Sequence, residues 1–179
     1  MNPTPPNLDA EALYARLRDA VRKLLDTLPA DRTHLVGIHS GGSWIAERLH
    51  RDLGLPEAPG KLDISFYRDD FARIGLHPQV KPSDIAFDVD DKHLVLVDDV
   101  LYTGRTIRAA MNELFDYGRP ASIRLAVLVD RGGRELPVAA DFAAATVELA
   151  PGQSLVLSRA GDAFKIDFET LPPQEPHHA

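Results

Sequence analysis

Two adjacent carboxylates followed by a short hydroxyl-rich turn are the residues of this chain best placed to do chemistry. Asp98 and Asp99 come directly after the apolar run 94–97, and the turn 103–106 (Thr-Gly-Arg-Thr) follows shortly after them. Ionised carboxylates only accept hydrogen bonds, so they suit the hydroxyl donors of a sugar diol. They would also stabilise positive charge that develops on such a sugar. The turn offers two hydroxyls and several backbone amides where a helix begins, which is typical of a phosphate site.

The elements predicted to position these residues are a buried strand and the helix after it. Residues 94–97 are aliphatic without polar alternation, as in a central parallel strand that is covered on both faces. Open α/β sheets bind their ligands at the carboxyl ends of strands, where Asp98 and Asp99 would lie. Gly104 would let the backbone turn tightly near a phosphate before the helix predicted over 107–117. A solvated turn or a simple helix cap could explain either half alone, but their order favours a site for a phosphorylated sugar.

A second strand end has the same layout. The predicted strand 35–38 is followed by Ser40, Gly41 and Gly42, and then by a helix with apolar residues at helical spacing. Backbone amides in this loop would suit a second anion, for which pyrophosphate is the natural candidate. The alternative is that these small residues only cap the helix.

A third strand end carries charge. Asp130 and Arg131 follow the run 123–129, which is apolar apart from Arg124, and a base could lie against the sugar there. The alternative is a solvated loop that is held by its own salt bridges.

Bulk composition predicts one compact α/β domain over residues 1–179. The chain has 179 residues, of which 44% are hydrophobic, so it can bury a full core. It has no cysteine, which excludes disulfides and thiolate chemistry. Neither a membrane span nor a signal-peptide layout is present, so the cytoplasm is the expected location and no membrane partner is expected. A net charge of −7 argues against broad nonspecific affinity for nucleic acids.

Helical and strand patterns alternate along the chain, as in an α/β fold. A long helix is predicted over residues 8–28, a strand over 61–67, and a polar segment with proline and glycine over 68–82. Three later β-rich segments, 146–149, 154–157 and 163–168, are expected to form a small hood. Residues 1–7 and 172–179 are predicted to be loose tails.

The stretch 94–106 resembles the phosphoribosyl-pyrophosphate (PRPP) signature of the type I phosphoribosyltransferases. The resemblance implies that the acid pair Asp98 and Asp99 holds the ribose hydroxyls and that residues 103–106 hold the 5′-phosphate. The PRPP-binding residues that we expect are Ser40, Gly41, Gly42, Asp98, Asp99, Val100, Leu101, Tyr102, Thr103, Gly104, Arg105 and Thr106.

Three motifs narrow the resemblance from the superfamily to a single family. They are residues 62–70 (Leu-Asp-Ile-Ser-Phe-Tyr-Arg-Asp-Asp), residues 97–106, and residues 125–137, which contain Asp-Arg-Gly-Gly-Arg-Glu-Leu-Pro. Together they resemble the PyrR family, whose members are pyrimidine-operon attenuation regulators with uracil phosphoribosyltransferase activity. The similarity runs from about residue 35 to residue 141. It implies a type I phosphoribosyltransferase fold, a mostly parallel sheet flanked by helices, and a homodimer or higher homo-oligomer.

The implied reaction joins uracil to PRPP and gives UMP and pyrophosphate. Mg²⁺ is the implied cofactor, carried largely by substrate oxygens, with Asp98 and Asp99 as the only candidate protein ligands and no dedicated metal site. Arg68 is the third catalytic candidate, since it opens a flap over 68–82 that could exclude water. Asp130 and Arg131 are the candidates on the base side.

Two departures from the family pattern bear on this expectation. Gly41 stands where the family usually has an arginine, so a bidentate contact with the diphosphate is lost. Gly133 stands where the family commonly has histidine. Leader RNA of the pyrimidine operon is a further candidate partner, for which a basic patch would be formed by Arg16, Arg18, Arg22, Arg131 and Arg134. An RNA-binding attenuator or nucleotide sensor with little transferase activity, and a relative that takes another base, are the alternatives to the enzyme.

Overall fold

The computed structural model describes residues 8–64 and 83–170. Within these ranges the helices are α1 (Ala10–Leu25), α2 (Gly41–Leu53) and α3 (Arg105–Tyr117), with a 3₁₀ turn at Ala30–Arg32. The strands are β1 (Thr33–Ile38), β2 (Gly60–Leu62), β3 (His93–Leu101), β4 (Ser122–Asp130), β5 (Phe142–Thr146), β6 (Gln153–Ala160) and β7 (Ala163–Thr170). The predicted tails and the predicted flap 68–82, with Arg68, lie outside the described residues.

Five strands form one sheet in the order β2-β1-β3-β4-β5, and every neighbouring pair is parallel. The predicted α/β class and the parallel sheet are therefore confirmed. In this register Gly37 of β1 and Ala126 of β4 flank Val97 of β3. The carboxyl ends of the three central strands thus meet at one edge of the sheet, where loops from all three converge.

Helices cover both faces of the sheet, which explains the uninterrupted apolar run in β3. Val95 and Val97 belong to the core that packs under α1 and α2, while Leu94 and Leu96 belong to the core under α3. Side chains alternate across a strand, so a strand that is buried on both faces needs an apolar residue at every position. All four residues are 0% exposed.

We call the antiparallel hairpin β6–β7 (residues 153–170) the hood. Arg48 of α2 connects the hood to α1 and α2. The Arg48 guanidinium donates two hydrogen bonds of 2.8 Å to Glu11 and one of 2.9 Å to the Asp162 carbonyl. It also lies over the rings of Tyr14 and Phe164, 4.0 and 5.1 Å from their centroids. The hydrogen bond from Arg48 lowers the pKa of Glu11. This cluster joins the hood to the two helices on one face of the sheet.

Three predicted strands have different bounds in the structure. Residues 146–149 were expected in the hood, but the strand there is β5, which begins at Phe142 and adds to the main sheet. Of the predicted strand 61–67, the described part ends at Leu62. Strand β3 runs on through Asp98 and Asp99 to Leu101, because the apolar residues after the acids also pair with β4. No helix within the described ranges is long and apolar enough to cross a bilayer.

Candidate functional site

The loop after β1 packs directly against the end of β3. We call residues 39–42 (His-Ser-Gly-Gly) the first loop; its His39–Ser40 peptide bond is cis. A Cβ atom on Gly42 would lie less than 3.0 Å from the Val97 carbonyl, and a Cβ atom on Gly41 would lie less than 3.0 Å from the Asp99 carboxylate. Only glycine permits this approach. The structure thus brings the first predicted anion loop and the acid pair into contact.

The two acids of the pair differ in burial. Asp98 is 2% exposed, and one of its carboxylate oxygens accepts a 2.9 Å hydrogen bond from the Asp99 amide. Asp99 is half-buried, and its Oδ1 accepts a 2.9 Å hydrogen bond from the Val100 amide. These bonds hold both side chains in fixed orientations. Asp99 is the better exposed of the two to a ligand above the strand.

The phosphate turn, residues 103–106, leads from β3 into α3. Thr103 is 4% exposed, and its hydroxyl accepts a 3.2 Å hydrogen bond from the Arg105 amide. Gly104 is the N-cap residue with a φ of +93°, and it has no side chain of its own to cap the helix. Left-handed backbone favours glycine at this position. Apart from the Arg105 amide, a helix N-terminus of this kind presents its first amides to a ligand, as a phosphate site requires.

A loop after β4 is hydrogen-bonded along the back of this turn. We call residues 131–138 (Arg-Gly-Gly-Arg-Glu-Leu-Pro-Val) the arginine loop. The Arg131 amide donates to the Leu101 carbonyl at 3.0 Å, and the amides of Glu135 and Leu136 donate to the Thr103 carbonyl at 2.9 and 3.0 Å. The Arg105 side chain forms a 2.7 Å salt bridge with Glu135. The motifs 97–106 and 125–137, on which the resemblance partly rests, are therefore hydrogen-bonded to each other.

Asp130 and Arg131, the predicted base-side residues, both contact the loops around them. Arg131 lies over the Tyr102 ring, 3.9 Å from its centroid, and donates a 3.0 Å hydrogen bond to the Gln153 carbonyl of the hood. Asp130 accepts from the Gly132 amide at 2.9 Å and forms an ion pair with Arg134. Burial opposes ionisation of Asp130, but the hydrogen bonds from Arg134 and Gly132 outweigh it and lower its pKa. For Asp130, these contacts favour the alternative in which the loop is held by its own salt bridges. A role of Asp130 or Arg131 in binding the base stays a prediction.

The five arginines of the predicted basic patch divide into two groups. Arg131 and Arg134 point into the loops, where their guanidinium groups donate to the carbonyls of Gln153 and Tyr102. Both guanidinium groups are therefore engaged within one chain, and their contribution to a basic patch across a dimer stays a prediction. On α1, Arg18 pairs with Asp19 at 2.8 Å, while Arg16 and Arg22 are exposed, as is Lys23.

The structural role of Arg134 was missed from the sequence. In the sequence alone, Arg134 is part of a motif and a candidate for the basic patch. Its place four residues after Asp130, following two glycines, is a signal for a turn that is held by a side chain. No sequence pattern shows which carbonyls the guanidinium reaches.

A cavity of about 350 Å³ lies on the other side of the first loop, between α2, β2 and the hood. Glu47 lines this cavity and forms salt bridges with Lys61 at 2.7 Å and with Arg159 at 3.2 Å. Arg159 also lies over the Trp44 ring, 4.9 Å from its centroid. These two cations are thus paired with a carboxylate.

The described residues offer few protein ligands for a cation. They contain no group of three or more His, Cys, Asp or Glu side chains that could hold a metal ion. The acid pair provides hard carboxylate oxygens, and Asp99 has a second oxygen beyond the one that accepts from Val100. This donor set fits Mg²⁺, which binds through one or two carboxylates together with substrate phosphates and water.

Comparisons with known proteins agree on one family. Residues 7–149 match the model of the phosphoribosyl transferase domain. The chain is 46% identical over 175 residues to the bifunctional protein PyrR of Nitrosococcus oceani, covering 97% of this chain and 98% of that protein. It is 50% identical over 165 residues to the bifunctional protein PyrR of Ralstonia nicotianae, covering 92% and 94%.

Solved structures show the same fold at low sequence identity. A hypoxanthine-guanine-xanthine phosphoribosyltransferase aligns with a TM-score of 0.58 at 18% identity, covering 78% of this chain and 76% of that one. The HGPRT-ase of Leishmania tarentolae, solved in complex with GMP, aligns with a TM-score of 0.58 at 21% identity, covering 84% of each chain.

Proposed function

This chain belongs to the PyrR family of phosphoribosyl transferase domain proteins, and from that membership we propose that it transfers a phosphoribosyl group to uracil. PRPP and uracil are the substrates, and UMP and pyrophosphate are the products. The observation that carries the proposal is the convergence of three loops at the carboxyl edge of the sheet, with Asp99 against Gly41 in the middle. Such an edge is where open α/β sheets bind their ligands.

Each loop has its own part of PRPP to bind. The phosphate turn would hold the 5′-phosphate through its hydroxyls and amides, and Ser40, Gly41 and Gly42 of the first loop would hold the diphosphate. The distance between these two anion sites is bridged by the ribose, whose hydroxyls would donate to Asp99. Asp98 is buried beneath it, and its hydrogen bond to the Asp99 amide keeps the backbone of the pair in place.

The transfer needs no nucleophilic side chain. The bond between the anomeric carbon and the diphosphate oxygen breaks, the diphosphate leaves with the electron pair, and a bond forms from the ring nitrogen of uracil, which loses its proton. Positive charge develops on the sugar between these events, and the Asp99 carboxylate is placed to stabilise it. The remaining contribution of the protein is to hold both reactants in line.

Mg²⁺ fits this site as the cofactor of the proposed reaction. It would neutralise charge on the leaving diphosphate, and Asp99, with Asp98 behind it, is the protein carboxylate that would reach it. Gly41 gives the first loop no cationic side chain at that position. We therefore expect the neutralisation of the diphosphate to depend on the metal and on residues outside this loop.

The base would lie between the arginine loop and the hood. Arg131 joins these two elements, since it covers Tyr102 and donates to the Gln153 carbonyl. Asp130 and Arg131 would set the width of the base pocket, while backbone groups read the edge of the pyrimidine. We further propose that the chain acts as a homodimer or a higher oligomer. Arg68, which lies outside the described residues, stays the third catalytic candidate.

Binding of pyrimidine-operon leader RNA is the second proposed function. Its support is that the relatives are named bifunctional and that α1 exposes Arg16, Arg22 and Lys23. Unpaired cations along one helix suit a phosphate backbone. Within the described residues these three side chains form no salt bridge, so they are available for such contacts.

The test of the enzyme is UMP formation from uracil and PRPP with Mg²⁺. The double variant Asp98→Asn/Asp99→Asn should lose activity by at least about a thousandfold, since charge stabilisation at the sugar is removed. Asp91→Asn is the matched control, because Asp91 is 77% exposed and pairs with Arg32. Wild-type protein that binds PRPP but makes no UMP would contradict uracil transfer and favour a sensor or another base.

A further inference from the structure

The arginine loop donates hydrogen bonds to the carbonyls of three consecutive residues of the PRPP stretch. The Leu101 carbonyl accepts from the Arg131 amide at 3.0 Å, and the Thr103 carbonyl accepts from the amides of Glu135 and Leu136. The carbonyl between them, that of Tyr102, accepts from the Arg134 side chain at 2.5 Å. Arg134 is thus the one side chain in a row of otherwise backbone donors.

These acceptors determine where the neighbouring amides point. A trans peptide is planar, so the C=O of one residue and the N–H of the next point in opposite directions. Because the carbonyls of Leu101, Tyr102 and Thr103 face the arginine loop, the amides of Tyr102, Thr103 and Gly104 point away from it. Successive amides on one side of a turn form an anion-binding concavity. The arginine loop therefore shapes the phosphate turn from behind.

The Arg134 guanidinium is held firmly enough to do this. Its Nε donates to the Val138 carbonyl at 3.0 Å, and it forms an ion pair with Asp130. The side chain is 25% exposed. A guanidinium group has several N–H donors in fixed directions, so it can hold several acceptors in place at once. The ammonium group of a lysine cannot do this. Removal of Arg134 would leave the Tyr102 carbonyl without this donor and let the peptide between Tyr102 and Thr103 rotate.

We infer that Arg134 is a positioning residue for the 5′-phosphate, and that it acts through the Tyr102 carbonyl by orienting the amides of the phosphate turn. This inference rests on the proposed function, since it assigns a residue behind the phosphate site proposed there. Arg134 does not touch the substrate. Its effect is confined to ligands that carry the phosphate.

The experiment compares ribose 5-phosphate with ribose as ligands of the full chain, by calorimetry and by the shift of the thermal unfolding midpoint. Arg134→Ala should weaken binding of ribose 5-phosphate by about tenfold, as expected for loss of a charge-assisted hydrogen bond, with no change for ribose. Arg134→Lys should recover only part of the loss, because lysine lacks the fork. Arg124→Ala is the matched control, since Arg124 lies near the start of β4, at the end of the strand away from the arginine loop, and pairs with Asp141.

Asp130→Asn is a milder second variant in case Arg134→Ala folds poorly. This substitution keeps the shape of the side chain but removes the charge that holds Arg134. It should therefore also weaken the binding of ribose 5-phosphate. Unchanged affinity for ribose 5-phosphate in folded Arg134→Ala, or an equal loss for ribose, would overturn the inference. Wild-type protein that binds ribose 5-phosphate but makes no UMP would contradict uracil transfer alone, whereas wild-type protein that makes UMP but does not bind ribose 5-phosphate would overturn the inference alone.

Discussion

The Asp99 carboxylate occupies the space where a side chain on Gly41 would have to begin. A Cβ atom on Gly41 would lie less than 3.0 Å from Asp99 Oδ2, Cγ and Cβ. The arginine that the family pattern has at position 41 therefore cannot be restored here without moving Asp99. In this chain, the absence of a side chain at position 41 is what allows Asp99 to lie where it does.

Gly41→Arg should accordingly lower transferase activity, even though it restores the residue of the family pattern. The new Cβ would displace Asp99 from the sugar, and we expect kcat to fall by about a hundredfold, the order of effect of losing one preorganised electrostatic contact. Steady-state kinetics with PRPP as the varied substrate would measure this. Ala12→Arg adds the same charge on an exposed position of α1 and should leave kcat unchanged. A rise in activity of Gly41→Arg would show that Asp99 can move at little cost.

Arg48→Ala should destabilise the fold much more than its neighbour Arg51→Ala. Arg48 is 19% exposed, binds Glu11 with two hydrogen bonds and lies over Tyr14. We expect Arg48→Ala to lower the free energy of unfolding by about 2 kcal/mol. Arg51 pairs with Asp162 at the surface, where solvent screens the pair, so Arg51→Ala should lower the free energy of unfolding much less. Urea unfolding followed by circular dichroism would compare the two, and equal losses would contradict the role given to Arg48.

Stability should fall as the pH drops below about 6.5, because of His34. Burial lowers the pKa of His34, although Glu57, 3.0 Å from its Nδ1, opposes the shift. The ring is stacked on Phe87 at 4.0 Å, and its buried Nε2 has no hydrogen-bond partner among the described residues. The unfolded chain therefore takes up a proton at a pH where folded His34 stays neutral, and this favours unfolding.

His34→Gln should flatten this pH dependence between pH 7 and about pH 5.5. The measurement is the free energy of unfolding at several pH values in wild type and variant. His50→Gln, on α2, is the control that removes a different histidine. A wild-type profile that is unchanged by His34→Gln would assign the dependence to other groups.

Reversing charge on α1 should weaken binding to pyrimidine-operon leader RNA if the second function holds. Arg16→Glu/Arg22→Glu removes two exposed cations, so the slope of log affinity against log salt should become shallower by about 1.4. Arg108→Glu/Arg119→Glu makes the same charge change on α3 and the turn after it. Equal loss in both double variants would point to net charge rather than to a site on α1.

The elements of the sheet could be predicted because their signals are local. The apolar runs in β3 and β4 have the composition of strands covered on both faces, and the loops after them have the small and polar residues of ligand sites. Strand β5 could not be assigned in this way. Residues 142–146 contain four small or weakly apolar residues, and they become a strand only because β4 presents a free edge beside them.

The amino-acid sequence by itself determined the class of fold, the acid pair, the phosphate turn and the resemblance to the PyrR family. All of these depend on residue type and short-range order, which the chain carries before it folds. Only the tertiary structure decided that Asp99 takes the space beside Gly41, that Arg134 points inward to the Tyr102 carbonyl, and that Asp98 is buried while Asp99 is not. These contacts join residues far apart in the chain, and their geometry follows from the parallel register that sets three strand ends side by side.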